Sequence, residues 1–202
     1  QAAGVEVHFI DGEEEARRTL LGLRSGFPET VGDILGLDIG GGSTEFIISR
    51  EGQPAKVIST DIGAVRLSER ILKSDPPTSS EIQEAENFVH SLTQQALLTL
   101  GKTSGLTFVG TAGTVTSLAA IAQDLDVYDP QRVHNYILKL EIVRKIEEMV
   151  FTRNKSERVN IPGLEPGREE VIAAGTLTLR CIMEKMRQNQ CIVSECGLRE
   201  GV

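Results

Sequence analysis

Apolar positions follow one pattern in the first third of the chain and a different pattern in the rest. In the first third of the chain they form short runs of strand length, at 35–39, 46–48 and 56–60. Further along they recur mainly every three or four positions, as on amphipathic helices. Two short apolar runs, at 106–109 and 191–193, interrupt this helical pattern. The pattern predicts an α/β domain in which a three-stranded meander and short strands are covered by helices.

Capping and turn residues set the remaining boundaries. The predicted elements are a strand at 5–10 and helices at 13–21, at about 66–73, from Ser79 or Ser80 to about Leu100, at 115–123, at 138–151 and at 168–187. Gly175 lies inside the last of these helices, where glycine costs about 1 kcal/mol relative to alanine. We therefore expect close packing or a ligand at this position.

The turn between the first two strands of the meander is the most informative stretch of the sequence. It contains three consecutive glycines, at 40–42, bracketed by Asp38 and Glu45. Glycines let backbone amides approach a ligand closely, and successive amides in such a turn form an anion site. If the two strands pair as a hairpin, both carboxylates face the same small space. Carboxylates beside an anion site suit a hard cation, so the stretch predicts a Mg²⁺-phosphate site.

Two commoner glycine motifs do not match this turn. A Walker-type loop requires a lysine after its last glycine, and none follows Gly42. A dinucleotide fingerprint requires a third spaced glycine and a following helix, whereas Glu45 and a strand stand there. A tight hairpin with incidental acids remains the alternative, although it does not account for the third glycine.

A second glycine turn, at 110–114, connects a predicted strand with a predicted helix. Such a junction presents free amides and the helix dipole to an anion. Many α/β crossings turn on glycines, so the assignment of this stretch to phosphate depends on the first turn. His134 is a further candidate donor, but a lone histidine is more often a packed or surface residue.

Composition narrows the classes of partner. The 202 residues carry a net charge of −8, which argues against broad nucleic-acid or acidic-membrane surfaces. No window approaches a membrane span or a signal peptide. The three cysteines form no metal-ligand pattern and indicate reduced thiols in the cytoplasm. Because the chain begins without Met and close to a strand, we expect it to be part of a longer protein.

Five short motifs, in order along nearly the whole chain, resemble those of one enzyme family. They lie at 10–17, 37–45, 108–117, 162–164 and 197–201, and the stretch at 129–134 agrees with them. The sequence is similar to the Ppx/GppA family of exopolyphosphatases and guanosine pentaphosphate phosphatases. This resemblance implies the actin-like ATPase superfamily, in which two ribonuclease-H-like domains face each other across a cleft. Residues 26–202 would be the second domain, and 1–25 the last strand and helix of the preceding domain and linker.

The resemblance also implies roles for individual residues. Glu15 would be the catalytic glutamate, although spacing alone does not choose it over Glu13 or Glu14. Asp38 and Glu45 occupy positions associated with the divalent metal. The implied phosphate-binding residues are Gly40, Gly41, Gly42, Ser43, Thr44, Gly110, Thr111, Ala112, Gly113 and Thr114. Arg168 is a further candidate for a substrate contact, and a solvated charge in the first turn of a helix accounts for it equally well.

The implied reaction is the Mg²⁺-dependent hydrolysis of a terminal phosphoanhydride. The substrate would be inorganic polyphosphate or guanosine pentaphosphate (pppGpp), the latter a nucleotide of the bacterial stringent response. The sequence does not choose between them, and it leaves open whether the protein is a homodimer. We expect the preceding domain to be required, so this segment would be inactive alone. The alternative is a non-catalytic domain that binds or senses phosphate or nucleotide. A kinase or chaperone-type ATPase is less favoured, because the acidic helix start and the lack of a nearby lysine favour water as acceptor.

Overall fold

The computed structural model describes residues 12–27 and 32–202, apart from the side chains of residues 12, 13, 15 and 16. The predicted strand at 5–10 lies outside this part. Within it, no helix has the length and apolar character needed to span a bilayer.

Eight α-helices and six strands follow one another in the described residues. The helices are α1 Gly12–Gly26, α2 Ala64–Arg70, α3 Ser79–Leu100, α4 Ala112–Ala122, α5 Pro130–Val133, α6 Leu140–Phe151, α7 Lys155–Arg158 and α8 Ile172–Lys185. The strands are β1 Ile34–Ile39, β2 Thr44–Ser49, β3 Lys56–Thr60, β4 Thr107–Thr111, β5 Ile137–Lys139 and β6 Gln190–Val193. A 3-10 helix, Leu198–Gly201, follows β6.

The strands form one mixed sheet in the order β3-β2-β1-β4-β6-β5. The first three strands are the predicted antiparallel meander. β4 is parallel to β1, β6 is parallel to β4, and β5 closes the far edge antiparallel to β6. The predicted α/β architecture, with a meander and short later strands, is therefore confirmed.

The two faces of the sheet are covered unequally. Leu35 and Leu37 of β1 are fully buried in the main core, together with residues of α3, α4 and α8. Ile34 points to the other face and packs with Leu23 of α1 in a much smaller cluster. Because alternate residues of a strand face opposite sides, Asp38 lies on the same face as Ile34, the one that α1 covers.

Several predicted helix boundaries are wrong. The helix expected at 13–21 continues to Gly26, the one expected near 66–73 spans Ala64–Arg70, and the one expected from 115 begins at Ala112.

Three further boundaries also differ. The helix expected from residue 138 begins at Leu140, because the preceding residues pair with β6 as β5. The helix expected from residue 168 begins at Ile172, after a turn in which Gly167 takes a φ of +88° that no α-helix contains. The cap of α3 is Thr78 rather than Ser79 or Ser80, because Thr78 and Glu81 form a reciprocal capping box.

Candidate functional site

A row of polar side chains crosses one end of the sheet. Asp38 of β1 lies directly opposite Glu45 on β2 and opposite Thr111 on β4. Glu45 in turn lies opposite Ser59 on β3. Directly opposite residues project from the same face, so these four side chains share the face that α1 covers. The hairpin pairing expected from the sequence is present, and it puts both carboxylates on one side.

The two carboxylates have different surroundings. Glu45 is 4% exposed and accepts a hydrogen bond from the Ser59 hydroxyl at 2.7 Å. Asp38 is half-buried, accepts from the Thr19 hydroxyl of α1 at 3.3 Å, and lines a cleft of about 580 Å³. Among the described residues no three His, Cys, Asp or Glu side chains group closely enough to hold a metal ion by themselves. Asp38 is therefore the carboxylate of this pair that reaches the cleft.

In the hairpin turn the carbonyls are hydrogen-bonded to α2, whereas two of the amides have no backbone acceptor among the described residues. The carbonyls of Gly40 and Gly41 accept hydrogen bonds from the first amides of α2 at 2.9–3.1 Å. The Gly40 amide closes the turn onto the Ser43 carbonyl at 3.0 Å. The amides of Gly41 and Gly42 have no backbone acceptor within the described ranges, and both residues are exposed. The Thr44 hydroxyl is buried and donates inward to the Ile62 carbonyl at 2.6 Å, so it supports the turn.

Gly63 also supports this turn, and the sequence reasoning did not identify it. A Cβ on Gly63 would lie 2.3 Å from the Gly41 carbonyl oxygen and 2.4 Å from the Gly42 carbonyl carbon. Since both neighbours are backbone atoms, a side chain here would displace the turn. The sequence signal for it is a glycine directly before α2.

The second predicted phosphate stretch differs from the expected loop. Gly110 and Thr111 are the last residues of β4, and α4 begins immediately at Ala112. Ala112 has a φ of +67°, a conformation that costs a residue with a Cβ roughly 1–2 kcal/mol. The first amides of α4 have no acceptor within the helix, and Thr111, Ala112 and Gly113 line the cleft. Thr114 is buried, and Gly110 does not line the cleft.

Two further contacts support this junction. The Thr111 hydroxyl donates to the carbonyls of Ser194 and Cys196 at 3.0 and 3.2 Å, so it fastens the end of β4 to the segment after β6. A Cβ on Gly175 would lie 2.7 Å from the Thr114 methyl carbon. Of the two explanations expected for Gly175, close packing is the one present.

Arg168 lies directly against the start of α4. Its Nη1 occupies a position only 2.1 Å from where a Cβ on Gly113 would be, and its side chain lines the cleft. Nε donates to the Glu165 carboxylate at 3.0 Å, while both outer guanidinium nitrogens lie beside Gly113. Arg168 precedes α8 by four residues, so it does not lie in the first turn of that helix. Its contact with a substrate stays a prediction.

Two other cleft residues, Tyr128 and Glu195, lie outside the motifs found in the sequence. Tyr128 donates a hydrogen bond to the carboxylate of Glu195. Burial raises the pKa of Tyr128, and the bond to the Glu195 carboxylate raises it further. Together the lining residues carry four carboxylates, of Asp38, Glu165, Glu195 and Glu200, against the guanidiniums of Arg168 and Arg199. The backbone amides, Arg168 or an added cation must therefore provide most of the attraction for a phosphate.

The acids at the start of α1 are not equivalent. Glu14 accepts from Arg17 Nε at 2.7 Å and Arg18 Nε at 2.6 Å. Hydrogen bonds from Arg17 and then Arg18 lower the pKa of Glu14 to about 2, which makes it a weak proton acceptor. The side chains of Glu13 and Glu15 lie outside the described part, so the catalytic role of Glu15 stays a prediction.

His134 does not line the cleft. Its Nε2 lies 2.9 Å from the Gly26 carbonyl at the end of α1, and its Nδ1 accepts from the Glu195 amide at 3.3 Å. The Nδ1 contact makes Nε2 the protonated nitrogen. The side chain thus joins α1 to the segment after β6. His134 is therefore a packed residue, as lone histidines more often are.

The sequence of residues 1–202 matches the profile of the Ppx/GppA phosphatase family over its whole length. The chain belongs to that family. Exopolyphosphatase 2 of Mycobacterium tuberculosis H37Rv is 31% identical over 203 residues. The crystal structure of the Aquifex aeolicus Ppx/GppA family member superposes with a TM-score of 0.88 at 34% identity, over 98% of this chain. An exopolyphosphatase from Cytophaga hutchinsonii superposes with a TM-score of 0.83 at 25% identity, also over 98% of this chain.

These relatives are longer than the chain described. The alignment with the mycobacterial exopolyphosphatase includes 98% of this chain and 63% of that protein. The present chain covers 63% of the Aquifex chain and 64% of the Cytophaga chain. The actin-like ATPase fold expected from the sequence is confirmed by these structural neighbours.

Proposed function

We propose that the protein to which this chain belongs hydrolyses the terminal phosphoanhydride of inorganic polyphosphate or of pppGpp. The observation that carries the proposal is the shared cleft of Asp38, the start of α4 and Arg168. Two residues beyond Asp38, the glycine turn adds amides without backbone acceptors among the described residues. The names of the mycobacterial and Cytophaga relatives support polyphosphate as one substrate.

Positioning and electrostatics dominate phosphoryl transfer, so each group has a defined task. The amides of Gly41, Gly42 and Gly113 would hold phosphates that are not transferred. Arg168 would contact the same anion with a charge-assisted hydrogen bond, which is stronger than a neutral one. Because the cleft lining has more carboxylates than guanidiniums, this cationic side chain carries much of the recognition.

The donor set fits Mg²⁺. This ion binds through one or two carboxylates and completes its coordination with water and substrate phosphates. Asp38 reaches the cleft, and Glu45 lies beside it on the same face, oriented by Ser59. Mg²⁺, when bound, would neutralise charge that develops on the phosphate oxygens.

Glu15 is the proposed general base for water, a role typically worth about 10²–10⁴ in rate. It stands four residues before Thr19, whose hydroxyl contacts Asp38. Residues four apart are neighbours on one side of an α-helix. Glu14, in contrast, is already engaged by two arginines.

The proposed domain division follows the resemblance, with 1–25 as the end of a preceding domain and linker and 26–202 as the second ribonuclease-H-like domain. The preceding domain would form the opposite side of the cleft and would be needed for turnover. We also propose a cytoplasmic location.

Phosphate release by the full-length protein from polyphosphate, pppGpp and ATP, with and without Mg²⁺, tests the reaction. We expect Mg²⁺-dependent release from polyphosphate or pppGpp in preference to ATP, and a loss of at least about 10²-fold in Glu15→Ala. Asp38→Asn should raise the Mg²⁺ concentration needed for half-maximal rate. A preference for ATP would contradict the proposal, as would unchanged activity in both variants. Binding of polyphosphate without release would instead assign the domain to sensing.

A further inference from the structure

Helix α1 lies against the C-terminal segment 194–201 along contacts that leave no room for side chains. A Cβ on Gly22 would lie 1.8 Å from the Gly197 carbonyl oxygen, and a Cβ on Gly201 would lie 1.8 Å from the Arg18 carbonyl oxygen. A Cβ on Gly26 would lie 2.9 Å from the side chains of both Cys196 and His134. We call Gly22, Gly26 and Gly201 the glycine seam. None of the three has a positive φ, so the seam uses glycine for close approach and not for an unusual backbone.

The C-terminal side of the seam is fixed to the cleft. Thr111, at the end of β4, donates to two carbonyls of this segment, at Ser194 and Cys196. The Gly197 amide donates to Glu200 at 2.8 Å, which closes the 3-10 helix onto its own start. Residues 197–200 also line the cleft. The segment is therefore held in register with the start of α4, where the phosphates would bind.

The other side of the seam carries a group that contacts the proposed metal ligand. Thr19, which donates to Asp38 at 3.3 Å, lies between Arg18 and Gly22, two of the α1 residues that approach the C-terminal segment. All three fall within about one turn of the helix. A change in separation across the seam would therefore move α1 relative to Asp38.

We propose that the glycine seam sets the position of α1 over the sheet, and that Gly22 and Gly201 are positioning residues for the acid on α1. This inference rests on the proposed function, in which Glu15 on α1 activates water. A side chain at Gly22 or Gly201 would meet backbone atoms, which yield only if the helix shifts. A displacement of about 1 Å can cost roughly 10²-fold in rate. The phosphate-binding amides belong to other elements, so substrate affinity should change much less than turnover.

The test compares Gly22→Ala, Gly201→Ala and Gly26→Ala in the full-length protein. We expect kcat to fall about 10²-fold in the first two, with KM changed by less than about threefold. Gly26→Ala should have a smaller effect, because its Cβ meets only side chains. It also serves as the test variant if the other two do not fold. Gly101→Ala is the matched control: Gly101 ends α3 with a φ of +81° and open space around it, so alanine strains the backbone without touching α1.

A double-mutant cycle with Glu15→Ala separates positioning from general destabilisation. If the seam acts through Glu15, adding Gly22→Ala to Glu15→Ala should lower kcat no further. An equal loss in both backgrounds, wild-type kcat in the seam variants, or the same loss in Gly101→Ala would overturn the inference.

Amide hydrogen exchange in α1 provides a readout that does not depend on activity. Gly22→Ala should accelerate exchange in α1 and in 194–201 and leave α3 unchanged. If Glu15→Ala retains full activity, the proposed base is wrong, and unchanged exchange would then show that the seam inference is wrong as well.

Discussion

At the scale of single residues, Arg168 is the side chain whose position says most about the ligand. It covers the first turn of α4, and its Nε donates to Glu165. A guanidinium in this position can offer two parallel donors to one phosphate, whereas an ammonium offers a single point charge. The cleft is thus shaped for a planar cation next to backbone amides.

Arg168→Ala should therefore raise KM for the phosphate substrate by about 10–100-fold, the equivalent of a charged hydrogen bond of roughly 1.5–3 kcal/mol. Arg168→Lys should recover part of the loss. Steady-state phosphate release by the full-length protein provides both constants. Arg144→Ala is the control, because Arg144 pairs with Glu184 and does not line the cleft. Unchanged KM in Arg168→Ala would remove the side chain from the binding site.

Some residue-level features were predictable and others were not. The pairing of Asp38 with Glu45 follows from two apolar runs on either side of a glycine turn. The engagement of Glu14 by Arg17 and Arg18 was also readable, since their spacings of three and four are those of neighbours on a helix. The contact of Tyr128 with Glu195 spans 67 positions, and no local pattern announces it.

At the scale of elements, α3 begins with a cap that depends on one ionised carboxylate. Glu81 accepts from the Thr78 amide at 2.8 Å and from the amides of Lys73 and Ser74 at 3.1 and 3.0 Å. The hydrogen bond from the Thr78 amide, with smaller contributions from the Thr78 and Ser74 groups, lowers the pKa of Glu81 from 4.5 to about 2. The cap thus joins the preceding turn to the longest helix of the domain.

Because the folded pKa lies below the unfolded one, Glu81 contributes stability above pH 4.5 that is lost as the pH falls towards 2. Glu81→Gln should be less stable than the wild type at pH 7 and about equally stable near pH 2. Urea unfolding at a series of pH values measures the difference. A constant difference across this range would show that ionisation does not matter to the cap.

Most elements were predictable because the spacing of apolar residues within one helix or strand is a local pattern. The prediction failed where an element depends on pairing with a strand far along the chain. At 137–139 the apolar spacing runs without a break into α6, so the helical pattern concealed β5. That strand exists because Leu138 aligns with Cys191 on β6, far along the chain. The start of α8 was marked by Pro166 and Gly167, but proline is also tolerated in a first helical turn, which led to the early boundary.

At the scale of the whole molecule, one buried arginine joins three helices on the main face of the sheet. Arg180 of α8 is 8% exposed and pairs with Glu86 of α3, Glu147 of α6 at 2.6 Å and Glu184 at 2.9 Å. Burial acts to lower the pKa of Arg180, but Cys181 and the surrounding carboxylates outweigh it, and the pKa is raised. Burial raises the pKa of Glu147 in spite of Arg180.

Removal of this guanidinium leaves three carboxylates close together without their common cation. Arg180→Met should therefore lower the free energy of unfolding by about 3–5 kcal/mol. Arg144→Met, which breaks an exposed pair with the same Glu184, should cost less than about 1 kcal/mol. Urea unfolding of both variants at pH 7 decides the comparison. Equal losses would mean that the buried network contributes no more than a surface pair.

The fold class of the whole molecule was predictable from the order of a meander followed by single strands between helices. The family followed from short motifs spread over the chain. The composition of the cleft was not predictable, because its lining comes from five separate stretches between Asp38 and Glu200 that meet only in the folded domain.

The unequal cover of the sheet affects how the domain opens. On one face dozens of apolar side chains unfold together, whereas α1 is attached to the other through a cluster centred on Leu23, Ile34 and Val109. Local opening of α1 should therefore require less free energy than global unfolding. A ligand that binds both α1 and the sheet would suppress that opening by mass action. The face on which the chemistry is proposed would then become rigid only in the presence of substrate.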